Sequence, residues 1–250
     1  MAMNYNIYFS PTGTTEKVVK YAGERLGCTA NIDLSRADWP DYSMGAEELC
    51  IVGVPSFGGR VPPIAAERLK KIKGVGTPTL LMVTYGGRAY EDTLRELKDI
   101  LTAQGFCCVG AAAMVAEHSI AHRIEAGRPN AADEKELERF LREIQDHLRE
   151  KCTPVEVPGK NPYKEYKVLP MDIRTTESCQ KCGRCAENCP VGAIPGDDPR
   201  QTDAKKCISC MRCVALCPAK ARSADPEKVH MIEEKLKAIA LPDKPNDFFQ

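Results

Sequence analysis

A duplicated cysteine pattern in the C-terminal third restricts this chain more than any other feature. Sliding the sequence by 28 positions brings CQKCGRCAENCPVGA, from Cys179, onto CISCMRCVALCPAKA, from Cys207, with four cysteines, an arginine, a proline and an alanine in register. Each copy reads Cys-x2-Cys-x2-Cys-x3-Cys-Pro. That spacing lets three thiolates of one tight loop reach three corners of an iron–sulfur cube, while the fourth cysteine points elsewhere. Paired Cys-x2-Cys elements also build four-thiolate zinc sites. A third cysteine at the same interval, and a duplication carrying Pro190 and Pro218, favour clusters over zinc. A disulfide framework is disfavoured, since MAMNYNIYFS lacks the basic and long apolar segments of a secretion signal. Of the thirteen cysteines, the five outside the repeat are Cys28, Cys50, Cys107, Cys108 and Cys152. They are scattered, and are expected to be small buried thiols in a reducing compartment.

The repeat closely resembles two-cluster bacterial ferredoxins, in which the fourth cysteine of each run ligates the other cluster. The resemblance therefore implies one 4Fe-4S cluster on Cys179, Cys182, Cys185 and Cys217, and a second on Cys207, Cys210, Cys213 and Cys189. Pro190 and Pro218 lack a backbone donor and turn the chain away from the crossing ligand.

The preceding 150 residues read differently. Short β-rich runs at Tyr5 to Phe9, Thr29 to Asp33, Leu49 to Val54, Thr79 to Thr84 and Cys107 to Val115 alternate with amphipathic helical stretches, which predicts a parallel five-stranded, doubly wound α/β domain. The helices show apolar faces, such as Val18, Val19, Ala22 and Leu26, or Leu94, Leu97 and Leu101. The clearest has Asn130 as N-cap and Leu137, Leu141, Ile144 and Leu148 at helical spacing. The expected organisation is an α/β domain over 1–150, a stiff, proline-containing linker over 151–178 with Pro154, Pro158, Pro162 and Pro170, and a small α+β two-cluster domain over 179–250. A closing helix is expected over Glu227 to Ala240, with an irregular tail from Pro242.

Three loops at strand ends carry binding chemistry. Ser10-Pro11-Thr12-Gly13-Thr14-Thr15 leads directly into a helix. Its hydroxyls, backbone N–H groups and helix N-terminus can face one phosphate. It has no lysine of the G-x4-G-K-[ST] kind, and alone it also fits an ordinary helix start. Pro55-Ser56-Phe57-Gly58-Gly59-Arg60 and Thr84-Tyr85-Gly86-Gly87-Arg88-Ala89-Tyr90 follow the third and fourth strands, where open sheets bind ligands. Their glycines let main chain approach a flat ring edge, and Phe57, Tyr85 or Tyr90 can cover its faces. Each loop alone also reads as a surface turn.

The first loop resembles the flavodoxin phosphate loop, S/T-x-T-G-x-T, and the three together resemble the set with which flavodoxins bind FMN. Over nearly its full length the chain resembles the flavodoxin–ferredoxin fusion proteins of anaerobes. The resemblance implies FMN on these loops and an element near the flavin at Ala116-Glu117-His118-Ser119. Phe57 departs from the Tyr or Trp frequent in flavodoxin-like domains, and His118 alone also fits a satisfied core or surface group.

Charge excludes other classes. Lysines and arginines number 35 and acids 35, for a formal charge of zero, so no nucleic-acid footprint or polybasic anchor is expected. No segment reaches the ~20 apolar residues of a membrane span, and the expected location is cytoplasmic. No G-x-G-x-x-G followed by an acidic residue offers a direct NAD(P)H site. The expected function is electron transfer between the clusters, FMN and protein redox partners. The alternative is a cluster-fed, FMN-dependent reductase of a quinone or nitro compound, with Arg60, Arg88 and His118 as contacts. A redox sensor would need a signalling surface that the sequence does not display.

Overall fold

The computed structural model describes residues 3–36, 41–145, 147–148, 153–239 and 244–250. In chain order its elements are β1 (Tyr5–Tyr8), α1 (Thr14–Leu26), β2 (Ala30–Asp33), β3 (Tyr42–Ser43), β4 (Cys50–Pro55), α2 (Pro63–Leu69), β5 (Ile72–Lys73), β6 (Thr77–Tyr85), α3 (Thr93–Ala103), β7 (Phe106–Val115) and α4 (Ala131–Ile144). The C-terminal part adds β8 (Arg174–Thr175), α5 (Arg184–Glu187), α6 (Arg212–Ala215), β9 (Arg222–Ser223), α7 (Pro226–Lys237) and β10 (Asp247–Phe249).

The main sheet runs β10-β7-β6-β4-β1-β2. Its five long-expected strands are parallel, and β10 pairs antiparallel with β7. Leaving out β10 and the β3–β5 pair, the order is 2-1-3-4-5 in the sequence of the strands, the flavodoxin-type doubly wound arrangement. The reversal falls between β1 and β4, so a crevice opens above their C-terminal ends. Near-continuous apolar strands need cover on both faces. One face takes α1 and α4, with Val18, Val19, Leu137, Phe140 and Ile144 against Ile51, Leu80 and Met82. The other takes α2 and α3, with Leu69, Leu94, Leu97 and Leu101 against Ile7, Val52 and Leu81. Asn130 caps α4 as expected, in a capping box with Asp133.

Two expectations need correction. The tail is a strand: Phe248 packs on Phe140, with ring centroids 4.9 Å apart, and Asn246 donates to Asp133 and accepts from the Val115 N–H at 2.8 Å. A sixth strand fits because the β7 edge is otherwise unpaired, and an open edge recruits chain. Cys107 is disulfide-bonded rather than a thiol. It lies where the linker returns along β7, with the Val155 N–H donating to Cys108 O at 2.8 Å. Cys152 lies outside the described residues. The stiff linker also packs on the first domain, with Val155 and Val157 buried in the α2/α3-side core.

A third apolar cluster joins the halves. Ala121 and Ile124 of the loop after β7 meet Met171, Met211 and Ile232. Arg68 donates to Pro190 O at 2.7 Å.

Gly53 in β4 sets the height of α1 over the sheet. A Cβ there would fall inside Val19 Cγ2 and within 3.1 Å of Thr15 Cγ2. Because α1 carries the first binding loop at its N-terminus, Gly53→Ala is expected to lower stability by about 1–3 kcal/mol and to shift that loop. Urea denaturation measures the first effect; an unchanged midpoint would show that α1 yields without cost.

Candidate functional site

The first loop is shaped by its own hydrogen bonds. The Ser10 N–H donates to Ser35 Oγ at 2.7 Å, and Ser10 Oγ accepts from the Glu16 N–H at 2.9 Å. Gly13 is the N-cap of α1 at φ 93°, a left-handed conformation that glycine adopts at little cost, and of the first-turn N–H groups only that of Glu16 is taken by a side chain, Ser10 Oγ. The N–H groups of Thr14 and Thr15 have no intrahelical acceptor, so the positive end of α1 is available to an anion. Thr15 is buried, and its hydroxyl pairs with that of Thr84 at 2.7 Å, tying the loop to β6. Thr12 and Thr14 line the adjoining cavity.

The other loops close around the same space. The Ser56 N–H donates to Thr84 O at 2.8 Å, and Ser56 Oγ pairs with Thr93 Oγ1 at 2.8 Å. Phe57 stands edge-on to the buried Phe9, with centroids 6.4 Å apart at 76°. His118 packs so closely on Gly86 that a Cβ there would meet its imidazole. His118 Nδ1 accepts from the N–H groups of Ile120 and Ala121 at 3.2 and 3.0 Å, so the neutral ring carries its hydrogen on Nε2. Arg88 reaches the cavity and pairs with Glu91 at 2.7 Å.

These loops form one side of a cavity of about 360 Å³. Of the expected site residues, Thr12, Thr14, Thr15, Pro55, Ser56, Phe57, Gly58, Thr84, Tyr85, Gly86, Arg88 and His118 lie in its wall. Six others do not. Ser10 and Gly13 shape the first loop from behind. Gly59 (φ 86°) and Gly87 (φ 75°) turn the chain against Glu91 and Glu125. Arg60 is held by the Glu96 carboxylate at 2.7 and 2.8 Å, away from the cavity. Tyr90 donates to Asp247 of β10 at 2.9 Å and stands edge-on to Tyr85. Both long side chains found partners in segments that the loop sequences do not show.

The opposite wall comes from the C-terminal half. Tyr166 to Leu169 of the linker, Ile208 to Cys210 of the second cysteine run, and Ile232, Leu236 and Ile239 at α7 all face the cavity. Burial first, and neighbouring Cys210 second, push the Tyr166 hydroxyl up to about 12. The signal for the linker wall was present as an apolar island, Tyr166-Lys167-Val168-Leu169, between Pro162 and Pro170.

The eight repeat cysteines line two further small cavities. One is walled by Cys179, Cys182, Cys185 and Cys217, the other by Cys189, Cys207, Cys210 and Cys213. Three cysteines of one run thus share each cavity with the fourth of the other run. The crossing sulfurs are partnered alike: Cys189 Sγ accepts from the Ala193 N–H and Cys217 Sγ from the Ala221 N–H, both at 3.2 Å. The donors are the alanines that both copies keep, whose small side chains are buried. Four sulfurs around an apolar space, with N–H donors aimed at thiolate positions, fit 4Fe-4S clusters. The N-terminus of α1 and the aromatic wall likewise fit a phosphorylated, planar ring system.

Burial, and second the charge of His122, hold the His118 imidazole down at about 4. The unfolded chain takes that proton near 6.5, so the contribution to stability is complete above that pH and is lost progressively as pH falls toward 4. In an NMR titration the His118 ring is expected to stay neutral from pH 8 to pH 5. A transition centred near 6.5 would contradict its burial.

Residues 178–221 match the 4Fe-4S dicluster domain family. A search of curated proteins gives no match. Among solved structures, the Streptococcus pneumoniae TIGR4 flavodoxin is 18% identical, covering 58% of this chain and 99% of its own, with a TM-score of 0.42. Oxidised flavodoxin 1 from Bacillus cereus is 16% identical, covering 59% and 99%, with a TM-score of 0.41. By its own strand order and by that family match, the chain joins a doubly wound, flavodoxin-like α/β domain to a 4Fe-4S dicluster domain of the ferredoxin kind.

Proposed function

We propose that this chain is an electron-transfer protein in which two 4Fe-4S clusters exchange electrons with an FMN held in the cavity between the halves. One observation carries this reading: Ile208, Ser209 and Cys210 line both the ring cavity and the cavity of the second cysteine set. A cluster ligand therefore stands in the wall shared by the two spaces. Bound there, FMN accepts two electrons and releases them singly, whereas each cluster handles one.

The chain's own residues give the relay a direction in space. The first-run cysteine Cys182 is exposed, as are its neighbours Gln180, Lys181 and Arg184. The corresponding second-run residues turn inward: Arg212 donates to Ser10 O at 3.3 Å and reaches Asp33 at 3.5 Å. The cluster of Cys179, Cys182 and Cys185 is then the port for protein redox partners, and the cluster of Cys207, Cys210 and Cys213 hands electrons to or from the flavin. In the first domain, Thr12, Thr14 and the α1 N-terminus hold the phosphate. Loop main chain at Gly58 and Gly86 meets the ring edge, and neutral His118 presents its Nε2 hydrogen. Among the described residues, no helix is long and apolar enough to cross a membrane.

Anaerobic analysis is expected to give eight irons, eight sulfides and one FMN per chain, on the four-iron stoichiometry of each cluster. Zinc in place of iron, or FAD in place of FMN, overturns the corresponding half. Cys189→Ala is expected to damage the cluster of Cys207, Cys210 and Cys213, and Cys217→Ala the other, as read by electron paramagnetic resonance of the reduced protein. Loss of each cysteine's own-run cluster instead would contradict the crossed sets.

A further inference from the structure

The segment that crosses the cavity is fixed at both ends and unsupported between them. Upstream, the Asp92 carboxylate accepts from the N–H groups of Lys160 and Lys164 at 2.8 and 2.7 Å, and the Tyr163 hydroxyl donates to Asp99 at 2.7 Å. Downstream, the Met171 N–H donates to Ser209 Oγ at 3.2 Å, and Met171 O accepts from the Asp225 N–H at 2.9 Å. Between these anchors, the main chain of residues 165–169 makes no hydrogen bond among the described residues. Two of its side chains are apolar yet exposed, Val168 at 40% and Leu169 at 54%. The strap passes over the second loop, with Lys167 O 3.8 Å from where a Gly58 Cβ would stand.

The aromatic residues of the cavity wall are not equivalent. Phe57 is wedged against Phe9 and packs on the domain core. Tyr85 is 3% exposed and engaged edge-on with Tyr90, which itself lies outside the wall. Tyr166 makes no ring contact among the described residues and shares the wall with Cys210. A half-buried aromatic with an uncommitted face beside a planar cavity is placed to stack.

On the reading that this cavity holds FMN, we propose that the strap of residues 165–170 is part of the flavin site and that Tyr166 covers the isoalloxazine ring on the side of the second cluster. The site is then composite. The first domain holds the phosphate, while the ring is held by a strap whose downstream anchor lies against the cysteine run. Ring binding and docking of the cluster-bearing half accordingly favour each other. Tyr166 acts here as a positioning residue.

The test is a titration of flavin into the full, cluster-loaded chain freed of flavin, with folding followed by the cluster absorbance. Tyr166→Phe, which keeps the ring, is expected to bind FMN within about twofold of the wild type, whereas Tyr166→Ala binds roughly tenfold more weakly. Riboflavin affinity should fall by the same factor, because the lost contact is to the ring and not to the phosphate. Should the alanine variant fail to fold, Tyr166→Leu, which keeps apolar bulk, has to show the same loss. Wild-type affinity in a folded alanine or leucine variant overturns the strap's role and leaves the flavin reading standing. A wild-type chain that binds no FMN overturns both.

Discussion

The arrangement depends on how the second cysteine run is seated at the switch point of the sheet. Arg212 lies between two cluster ligands in sequence, Cys210 and Cys213, and its guanidinium reaches the main chain at Ser10 and the carboxylate of Asp33. A side chain only 11% exposed must find acceptors or leave a desolvated charge. The ends of β1 and β2 supply two acceptors, while its buried Nε has no partner among the described residues. Arg68 repeats the logic from α2 by donating to Leu34 O and Pro190 O. The same contacts that register the halves also bring Cys210 to the ring cavity.

The internal repeat shows how a symmetric sequence is put to asymmetric use. Both copies need a left-handed residue after the second cysteine. The first copy has Gly183 at φ 76°, and the second has Met211 at φ 62°. A side chain there is strained, yet Met211 is buried in the cluster that joins the halves. Arg184 and Arg212 diverge likewise, one exposed and one half-buried. The copy with methionine faces the α/β domain, and the copy with glycine faces solvent.

Much of this was legible in the sequence because the signals are local. Cysteine spacing implied the crossed sulfur sets through the ferredoxin pattern, and strand-helix alternation implied the parallel sheet. The place of the first loop at the start of α1 was readable because glycine and hydroxyl residues precede an amphipathic helix. What escaped depended on distant chain. Arg60 and Tyr90 look like ring contacts until Glu96 and Asp247 are seen to hold them. The tail became β10 only because β7 offered an edge. The prolines showed a stiff linker, but not that Val155 and Val157 enter the core. Tyr166 acquires meaning only when the anchors at Asp92 and Ser209 draw it across the cavity.

If the two halves form one relay, electrons placed on the clusters must reach the flavin without a second molecule. The direct measurement is rapid photoreduction of the clusters in the loaded chain, followed by flavin absorbance over a hundredfold range of protein concentration. A first-order rate that does not change with dilution is the result expected when Cys210 stands in the wall between the two cavities. A rate that rises in proportion to concentration would mean that electrons pass between molecules, and would contradict the account.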